Sequence, residues 1–229
     1  MTRVLVVEDE ASIREMIALN LRRKGMDVLE AESAEQALAL LEAQPACDAA
    51  ILDVMLPGMN GFSLCETIRR TDHTIGIIIL SAKSQEADKI RGLSIGADDY
   101  MTKPFSVSEL MARVEALCRR VARGAAEPAE SGRLVSGEFV LDEKSHMLLK
   151  NGKQIDLTQV EFQIMELFFH NPGTALVREK ILKGVWGENY FGDVKIVDVN
   201  IRRLRMKIED EPSDPKHILT VWGYGYRWN

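Results

Sequence analysis

The sequence predicts two domains: a doubly wound α/β domain with a parallel sheet, followed by a smaller α+β domain. The chain has 229 residues, which is enough for two domains of ordinary size. In its first half, short aliphatic runs alternate with segments of helical period. Residues 122–133 are mostly small or charged, as in linkers, so we expect domains over residues 1–121 and 134–229.

The composition excludes several classes of protein. Apolar residues make up 46% and charged residues 28% of the chain, as in ordinary globular proteins. No apolar run approaches the roughly 20 residues of a membrane helix, and acids at positions 8–10 interrupt any signal-peptide core. The three cysteines are widely spaced, which indicates reduced thiols. We therefore expect a cytoplasmic protein without a membrane partner.

Five strand–helix units are expected in the first domain. The predicted strands cover residues 4–7, 27–31, 49–52, 75–80 and 99–102, and the predicted helices about 12–24, 34–43, 62–71, 85–95 and 107–121. Ser12, Ser33 and Ser106 each stand three residues before Glu or Gln, which is capping-box spacing. Right-handed crossovers bring every loop that follows a strand to one edge, where doubly wound sheets bind ligands.

Acidic residues, a hydroxyl and a lysine follow these strands. Glu8 and Asp9 come after the first strand, and Asp53 ends the third. Ser81 follows the fourth strand and Lys103 the fifth. Carboxylates that meet at one edge repel one another unless a cation lies among them, and their hard oxygens suit Mg²⁺. Lys103 and Ser81 could stabilise a phosphoryl group in transfer, with Asp53 as the nucleophile.

Several segments resemble the receiver domain of bacterial two-component response regulators: VVEDE at 6–10, LDVMLPG at 52–58, LSA at 80–82, GADDY at 96–100 and KPF at 103–105. The resemblance covers residues 1–121. It implies a flavodoxin-like (βα)5 fold and phosphorylation of Asp53 by a sensor histidine kinase. It also implies Mg²⁺ held by Asp9, Asp53, the Met55 carbonyl and water, with help from Glu8, and a cis Lys103-Pro104 bond.

The same resemblance implies a switch and a dimer. Tyr100 would turn inward when Ser81 moves toward the phosphoryl group. Two receivers would then pair through the face formed by the fourth helix, fifth strand and fifth helix. Matching charges on this face are Lys89 with Glu109, Asp99 with Arg113, and Asp98 with Arg120. Solvated surface charges that make no pairing remain the ordinary alternative.

The second domain has the pattern of a winged helix-turn-helix. Strands are expected over residues 134–141, 147–149 and 153–157, with Asn151-Gly152 as a hairpin turn. Helices are expected from Thr158, which has capping-box spacing to Glu161, to about residue 170, then over 178–186 and 194–209. A closing hairpin is expected over 219–227. Residues 133–229 have no net charge but carry five basic residues within 195–207, a pattern typical of nucleic-acid binding.

The third helix has an apolar stripe of Val197, Ile201, Leu204 and Ile208, opposite a face with Lys195, Ile196, Val199, Arg202, Arg203 and Met206. The segments VDVNIRRLR at 197–205 and TVWGYGYR at 220–227 resemble the effector domain of OmpR/PhoB-type response regulators. The resemblance implies major-groove binding by this helix, with Lys195, Ile196, Val199, Asn200 and Arg203 towards bases, and Arg202 and Arg205 towards phosphates. Trp186 would help at the DNA backbone, and residues 187–193 would face RNA polymerase. Many members carry an arginine in the wing where this chain has Trp222, so Trp222 either packs on sugars or braces the hairpin.

The sequence thus predicts a non-enzymatic transcription regulator, switched by phosphorylation of Asp53, that binds adjacent DNA half-sites as a dimer. A Mg²⁺-dependent phosphohydrolase of the haloacid-dehalogenase type is disfavoured, because Met55 stands where those enzymes place a second aspartate. A DNA-binding regulator independent of phosphorylation is a further alternative. The intact set of Asp9, Asp53, Ser81 and Lys103 argues against it.

Overall fold

A computed structural model describes residues 2–43, 47–82, 86–123, 132–188, 190 and 192–229, with the backbone alone for residues 86 and 119–123. The chain divides into two compact units, Met1–Val121 and Ala122–Asn229. The expected linker over 122–133 falls mostly outside these described residues. Within them, no helix has both the length and the apolar character needed to cross a membrane.

The first unit contains a parallel five-stranded sheet in the order β2-β1-β3-β4-β5. Its elements are β1 Arg3–Val7, α1 Ala11–Arg23, β2 Asp27–Ala31, α2 Ala34–Ala43, β3 Ala49–Asp53, α3 Gly61–Thr71, β4 Gly76–Ser81, α4 Glu86–Ser94, β5 Asp99–Thr102 and α5 Val107–Arg123. The central strands β3 and β4 are buried along their whole length. This agrees with their uninterrupted apolar sequence, which suits a sheet covered on both faces. The doubly wound α/β fold is confirmed.

One core of the first unit lies between the sheet, α1 and α5. Ile17 and Leu21 of α1 pack there with Leu110 and Val114 of α5. Each of these four side chains is fully buried. Burying an aliphatic side chain of this size contributes about 1.5–3 kcal/mol relative to leaving it in water. Packing against α1 and α5 therefore holds the sheet, and with it the edge that carries the polar residues, in place.

The starts of the helices agree only in part with the predicted capping boxes. Ser33 Oγ accepts the Gln36 backbone N–H at 3.2 Å, as its spacing indicates. Ser12 does not cap α1, because the helix begins one residue earlier with Glu10 at the N-cap position. The Ser12 hydroxyl instead donates to the Glu10 carboxylate at 2.8 Å.

The second unit contains two antiparallel sheets, ordered β6-β7-β8-β9 and β10-β12-β11. Its elements are β6 Arg133–Ser136, β7 Phe139–Asp142, β8 Met147–Lys150, β9 Lys153–Ile155, α6 Gln159–Phe169, β10 Ala175–Val177, α7 Arg178–Trp186, α8 Lys195–Ile208, β11 Ile218–Val221 and β12 Gly225–Trp228. The winged-helix architecture is confirmed. The single strand expected over 134–141 is wrong in detail, because Gly137 adopts φ +58° and turns the chain into a hairpin.

The capping box that opens α6 is confirmed. Thr158 Oγ1 accepts the Glu161 N–H at 3.3 Å, and the Glu161 carboxylate accepts the Thr158 N–H at 2.8 Å. Two backbone donors at the helix start are thereby satisfied. Glu161 is completely buried, although its position was predicted only from this spacing.

Candidate functional sites

The ends of β1, β3, β4 and β5 meet at one edge of the first sheet. Leu52 pairs with Val7 on one side of β3, and Asp53 pairs with Leu80 on the other. Ser81 in turn pairs with Thr102, directly before Lys103. Since the strands are parallel, the residues that follow them lie together, as the sequence predicts.

Lys103 joins two buried carboxylates at this edge. Its Nζ lies 2.9 Å from Asp53 Oδ2, and 2.7 and 3.0 Å from the two oxygens of Glu8. Asp53 is 2% exposed and Glu8 1%. The peptide bond from Lys103 to Pro104 is cis, as the receiver resemblance implies. The side chain of Lys103 thus supplies a cation exactly where burial makes carboxylate charge costly.

Burial dominates the electrostatics of this cluster. Burial raises the pKa of Glu8 to about 6, although the Lys103 hydrogen bond opposes the shift and the Asp53 charge adds to it. Burial lowers the pKa of Lys103, but its hydrogen bonds and charge interactions with Asp53 and Glu8 outweigh that effect and raise it. Lys103 therefore remains charged at neutral pH.

Three acids at this edge are arranged so that they could share a cation. Glu8, Asp9 and Asp53 each offer an oxygen, and these atoms all lie within 4.8 Å of one another. Asp9 is exposed, whereas the other two are buried. The single positive charge of Lys103, which bridges Glu8 and Asp53, does not balance three carboxylates, and hard oxygen donors suit Mg²⁺.

The loop after β3 holds Asp53 in place. The Met55 N–H donates to Asp53 Oδ1 at 3.3 Å, while the Met55 side chain is exposed. Asn60 caps α3 through the Ser63 N–H at 3.0 Å. A Cβ on Gly61 would collide with the Asp53 carbonyl oxygen. The sequence reasoning missed Gly61, for which a glycine directly after a capping asparagine was the available signal.

Ser81 and Tyr100 lie together behind the cluster. Ser81 is fully buried and Tyr100 is 9% exposed. Burial raises the pKa of Tyr100, and a hydrogen bond between its hydroxyl and Ser81 opposes the shift. Tyr100 therefore occupies an inward position in this structure.

The charged face of α4, β5 and α5 differs from the expected set. Arg113 donates to both oxygens of Asp99 at 2.7 and 2.8 Å and to Glu109 at 2.7 Å, all within one chain. Lys89 is partly exposed. The side chain of Arg120 lies outside the described residues. Asp99, Glu109 and Arg113 therefore form a network within one chain.

The prediction that Asp98 is a surface charge is wrong. Asp98 is fully buried, and its Oδ2 accepts from Arg69 Nη2 at 2.7 Å and from the Ile77 N–H at 2.8 Å. Arg69 also donates to the Gly96 carbonyl at 2.8 Å. An interchain pair of Asp98 with Arg120 would require breaking this buried contact. The sequence reasoning missed Arg69, which stands 29 residues away.

Helix α8 exposes a narrower face than the sequence predicted. Lys195, Arg202 and Met206 are exposed, and Val199 is partly exposed. At about 100° per residue these four positions fall within about 60° of one another. Ile196 is 3% exposed and Asn200 is fully buried, so the expected exposure of Ile196 was wrong. These two side chains face the interior of the unit.

Arg203 and Arg205 make internal contacts. Arg203 Nη2 lies 2.9 Å from the buried Glu161, which Lys207 contacts at 2.6 Å. Arg205 donates to the Ile218 carbonyl at 2.6 and 3.0 Å. These arginines connect α8 to α6 on one side and to β11 on the other, which is the physical reason that the exposed stripe is narrow.

A third contact orients the start of α8. Asp198 accepts from Arg178 Nε and from the Tyr226 hydroxyl, both at 2.7 Å. The Arg178 guanidinium also stacks on the Tyr226 ring at 4.9 Å. Burial, followed by the Asp198 hydrogen bond, raises the pKa of Tyr226 to about 12. The hydroxyl stays protonated and available as a donor.

The turn between β11 and β12 presents two aromatic side chains to solvent. Trp222 is 91% exposed and Tyr224 is 49% exposed. Gly223 at φ +71° allows the tight turn between them. So exposed a ring packs against little of its own chain. Trp186, by contrast, is 2% exposed and forms part of the core. The expected polymerase-facing loop over 187–193 lies only partly within the described residues.

Comparisons with known proteins identify both domains. The response regulator receiver domain matches residues 4–115, and the C-terminal domain of transcriptional regulatory proteins matches residues 152–228. Sensory transduction protein RegX3 of Mycolicibacterium smegmatis is 41% identical over 227 residues, covering 99% of both chains. A probable transcriptional regulatory protein of Picosynechococcus is also 41% identical, covering 99% of this chain and 92% of its own.

Solved structures give the same result. The response regulator DrrB, a Thermotoga maritima OmpR/PhoB homolog, is 32% identical with a TM-score of 0.53, covering 100% of this chain and 99% of its own. A RitR mutant is 26% identical with a TM-score of 0.79 at the same coverage. With a receiver domain followed along the chain by a winged-helix domain, this chain belongs to the OmpR/PhoB-type response regulators, which are DNA-binding transcriptional regulators.

Proposed function

We propose that a sensor histidine kinase phosphorylates Asp53 and that this modification controls DNA binding. The observation that carries the proposal is the buried Asp53 carboxylate, 2.9 Å from Lys103 Nζ and beside Glu8 and Asp9. An isolated aspartate at a strand end would be solvated. Here the carboxylate is held among groups that suit phosphoryl transfer.

In the proposed reaction, an Asp53 oxygen attacks the phosphorus of a phosphohistidine. The bond from phosphorus to the imidazole nitrogen breaks, and that nitrogen keeps the bonding electrons and takes up a proton from solvent. Lys103 Nζ and the Ser81 hydroxyl donate to the phosphoryl oxygens as charge develops on them. The product is an acyl phosphate on Asp53, a bond that carboxylates form readily in enzymes of this kind.

Mg²⁺ fits the site on the chemistry of its donors. Asp9 and Asp53, with the Met55 carbonyl and water, would hold the ion, and Glu8 would assist. The bound ion would supply positive charge to the transferring phosphoryl group. Glu8 and Asp53 already share the Lys103 cation at 2.7 and 2.9 Å, so this chain partly compensates the charge by itself.

Phosphorylation is proposed to favour a homodimer through the face of α4, β5 and α5. The Asp99, Arg113 and Glu109 network lies on that face and could exchange its intrachain bonds for interchain ones. Lys89 remains a candidate partner for Glu109. The partly exposed pair of Lys89 with Glu109 would contribute little by itself, whereas the side chains of Asp99 and Arg113 are only 6% and 8% exposed. A self-complementary set of such pairs would fix the two-fold register.

The dimer would place two effector domains on adjacent half-sites of double-stranded DNA. We propose that Lys195 and Val199 of α8 enter the major groove, that Arg202 binds a phosphate and that Trp222 contacts sugars from the wing. Ile196, Asn200, Arg203 and Arg205 are assigned to holding α8 in position, because of their burial or internal bonds. Residues 187–193 remain proposed as the surface for RNA polymerase.

The test of phosphorylation is the intact mass of the protein after incubation with a small phosphodonor, with and without Mg²⁺. Wild type should gain one phosphoryl group only with Mg²⁺, and Asp53→Asn should gain none. Glu10→Gln, at an exposed acid of the same edge, is the matched control and should behave as wild type. A gain in Asp53→Asn equal to that of wild type would contradict Asp53 as the acceptor.

A further inference from the structure

Tyr100 connects the interior of the first unit to its charged face. Its hydroxyl hydrogen bonds to Ser81, which lies behind the Asp53 site. Its backbone N–H donates to Asp99 Oδ1 at 2.8 Å, and Asp99 is bound to Arg113. The Tyr100 side chain thus contacts Ser81 at the phosphoryl-acceptor edge, and the Tyr100 backbone contacts the Asp99–Arg113 pair of the proposed dimer face.

The ring occupies space that a glycine leaves open. A Cβ built on Gly92 of α4 would lie 2.8 Å from Tyr100 Cδ2 and 3.1 Å from Cε2. It would also lie 3.3 Å from Ile79 Cδ1, which is beside Tyr100 in the neighbouring strand. Ordinary van der Waals separation between carbons is about 3.5–4.0 Å, so a methyl group and the inward ring cannot share this space without movement.

A glycine here has no conformational explanation. Gly92 lies within α4 at ordinary helical geometry, not among the residues with positive φ. Glycine is less favourable than alanine inside a helix, so local structure alone favours a side chain at this position. The absence of a side chain is accounted for by the ring that packs on it.

We infer that Gly92 is a positioning residue that admits Tyr100 to the Ser81 side of α4, and that it thereby couples Asp53 to the dimer face. The inference rests on the proposed function. A methyl group at position 92 should displace the ring outward or lift α4, so that a phosphorylated receiver no longer gains the dimer-competent face. Phosphorylation itself should be unaffected, because Gly92 touches none of the acceptor groups that the structure describes.

The first test reads the ring directly, without phosphorylation. The full chain is labelled with 3-fluorotyrosine, and the Tyr100 fluorine signal is assigned by its loss in Tyr100→Phe. In wild type this signal should show little solvent isotope shift. Gly92→Ala should give it the shift of an exposed ring, whereas Gly184→Ala, a matched helical glycine of α7, should not change it. A Tyr100 signal that stays buried in Gly92→Ala would overturn the inference.

The second test measures coupling in the same proteins. Intact mass should show equal phosphorylation of wild type, Gly92→Ala and Ser94→Ala, the last at an exposed position of α4. Sedimentation velocity should then show that phosphorylated Gly92→Ala has a dimer dissociation constant about tenfold higher than that of phosphorylated wild type. The increase reflects the smaller fraction of molecules in the dimer-competent conformation. Unchanged dimerisation in Gly92→Ala would contradict the inference. If wild type is not phosphorylated, the proposed function is contradicted, whereas the fluorine measurement still tests the contact of Gly92 with the Tyr100 ring.

A double variant covers the case in which Gly92→Ala does not fold. Tyr100→Ala removes the ring, so adding Gly92→Ala to it should have no further effect on folding or dimerisation. If the single variant misfolds and the double variant folds, the clash lies with Tyr100, as inferred. If misfolding persists in the double variant, another contact is responsible and the inference fails.

Discussion

Lys103 compensates the charge of two buried carboxylates, so its removal should destabilise the first unit even when no phosphoryl transfer takes place. In chelator at pH 7.5, Lys103→Met leaves Glu8 and Asp53 without their shared cation, and breaking a buried pair in this way costs about 3 kcal/mol. Urea unfolding followed by hydrogen exchange of β3 peptides measures this. Glu8→Gln added to Lys103→Met should recover part of the loss. Equal stability of wild type and the single variant would contradict the electrostatic account.

Glu161 should make the second unit sensitive to acid. Burial alone would raise the pKa of Glu161, but the charges of Arg203 and Lys207 outweigh burial and hold the pKa below its ordinary value. A carboxyl with a lowered folded-state pKa stabilises the fold above its unfolded-state pKa, near 4.5, and this contribution is lost as the pH falls through the folded-state value.

Glu161→Gln should therefore lower the free energy of unfolding of the second unit at pH 7, and it should reduce the loss of that free energy as the pH falls below about 4.5. The three tryptophans, Trp186, Trp222 and Trp228, all lie in this unit, so their fluorescence reports its unfolding in urea. Glu166→Gln, at another acid of the same helix, is the control. An equally steep acid loss in Glu161→Gln would show that another carboxyl carries the effect.

Single residues also show the limit of sequence reasoning. Asp53, Ser81 and Lys103 were predictable because strand alternation fixes which loops share an edge. Asp98 was not, because its burial depends on Arg69, a partner 29 residues away that no local pattern marks. Adjacent acids at 98 and 99 look equivalent in sequence, yet each bonds a different arginine.

At the scale of elements, two arginines of α8 can be compared: one is proposed to contact DNA and the other to hold the helix in position. Arg202 is exposed, so Arg202→Gln should remove a phosphate contact and reduce the slope of log affinity against log salt by about 1. Arg203→Gln should weaken binding through a loosened helix, with the salt slope unchanged, because Arg203 is bound to Glu161. Fluorescence anisotropy on a selected duplex measures both, and equal slope changes would contradict the distinction.

The wing offers a second test. Trp222 is 91% exposed, so Trp222→Ala should change the free energy of unfolding in urea by no more than about 0.5 kcal/mol. It should nevertheless weaken DNA binding, because the proposed contact of the ring with sugars is lost. Trp222→Phe should retain part of the affinity. A large loss of stability with unchanged DNA binding would show that Trp222 braces the hairpin.

Helix periodicity predicted the apolar stripe of α8 but not the width of its buried face. The helix is in contact with α6 through Arg203 and with β11 through Arg205, so both flanks of the stripe are covered. Periodicity indicates that one face of a helix is apolar, but it does not indicate how many neighbouring elements pack against the helix. Strand β10 was missed for a related reason, because its three residues are too few for any alternation to show.

At the scale of the whole molecule, the proposed account requires a free-energy coupling between Asp53 and DNA. Two domain patterns, one in each half of the chain, were enough to predict both folds and the receiver site. They could not predict the coupling, because it depends on a choice between conformational states that composition and spacing do not record. Ligand coupling between distinct sites is typically 5–150-fold in affinity.

The most direct measurement is the affinity of the full chain for a selected DNA duplex, with Mg²⁺ and a small phosphodonor present or absent. Phosphorylated wild type should bind about tenfold or more tightly than unphosphorylated protein. Asp53→Asn should show the weaker affinity under both conditions. If all samples bind equally tightly while mass confirms phosphorylation of wild type, this chain regulates transcription independently of phosphorylation and the account is contradicted.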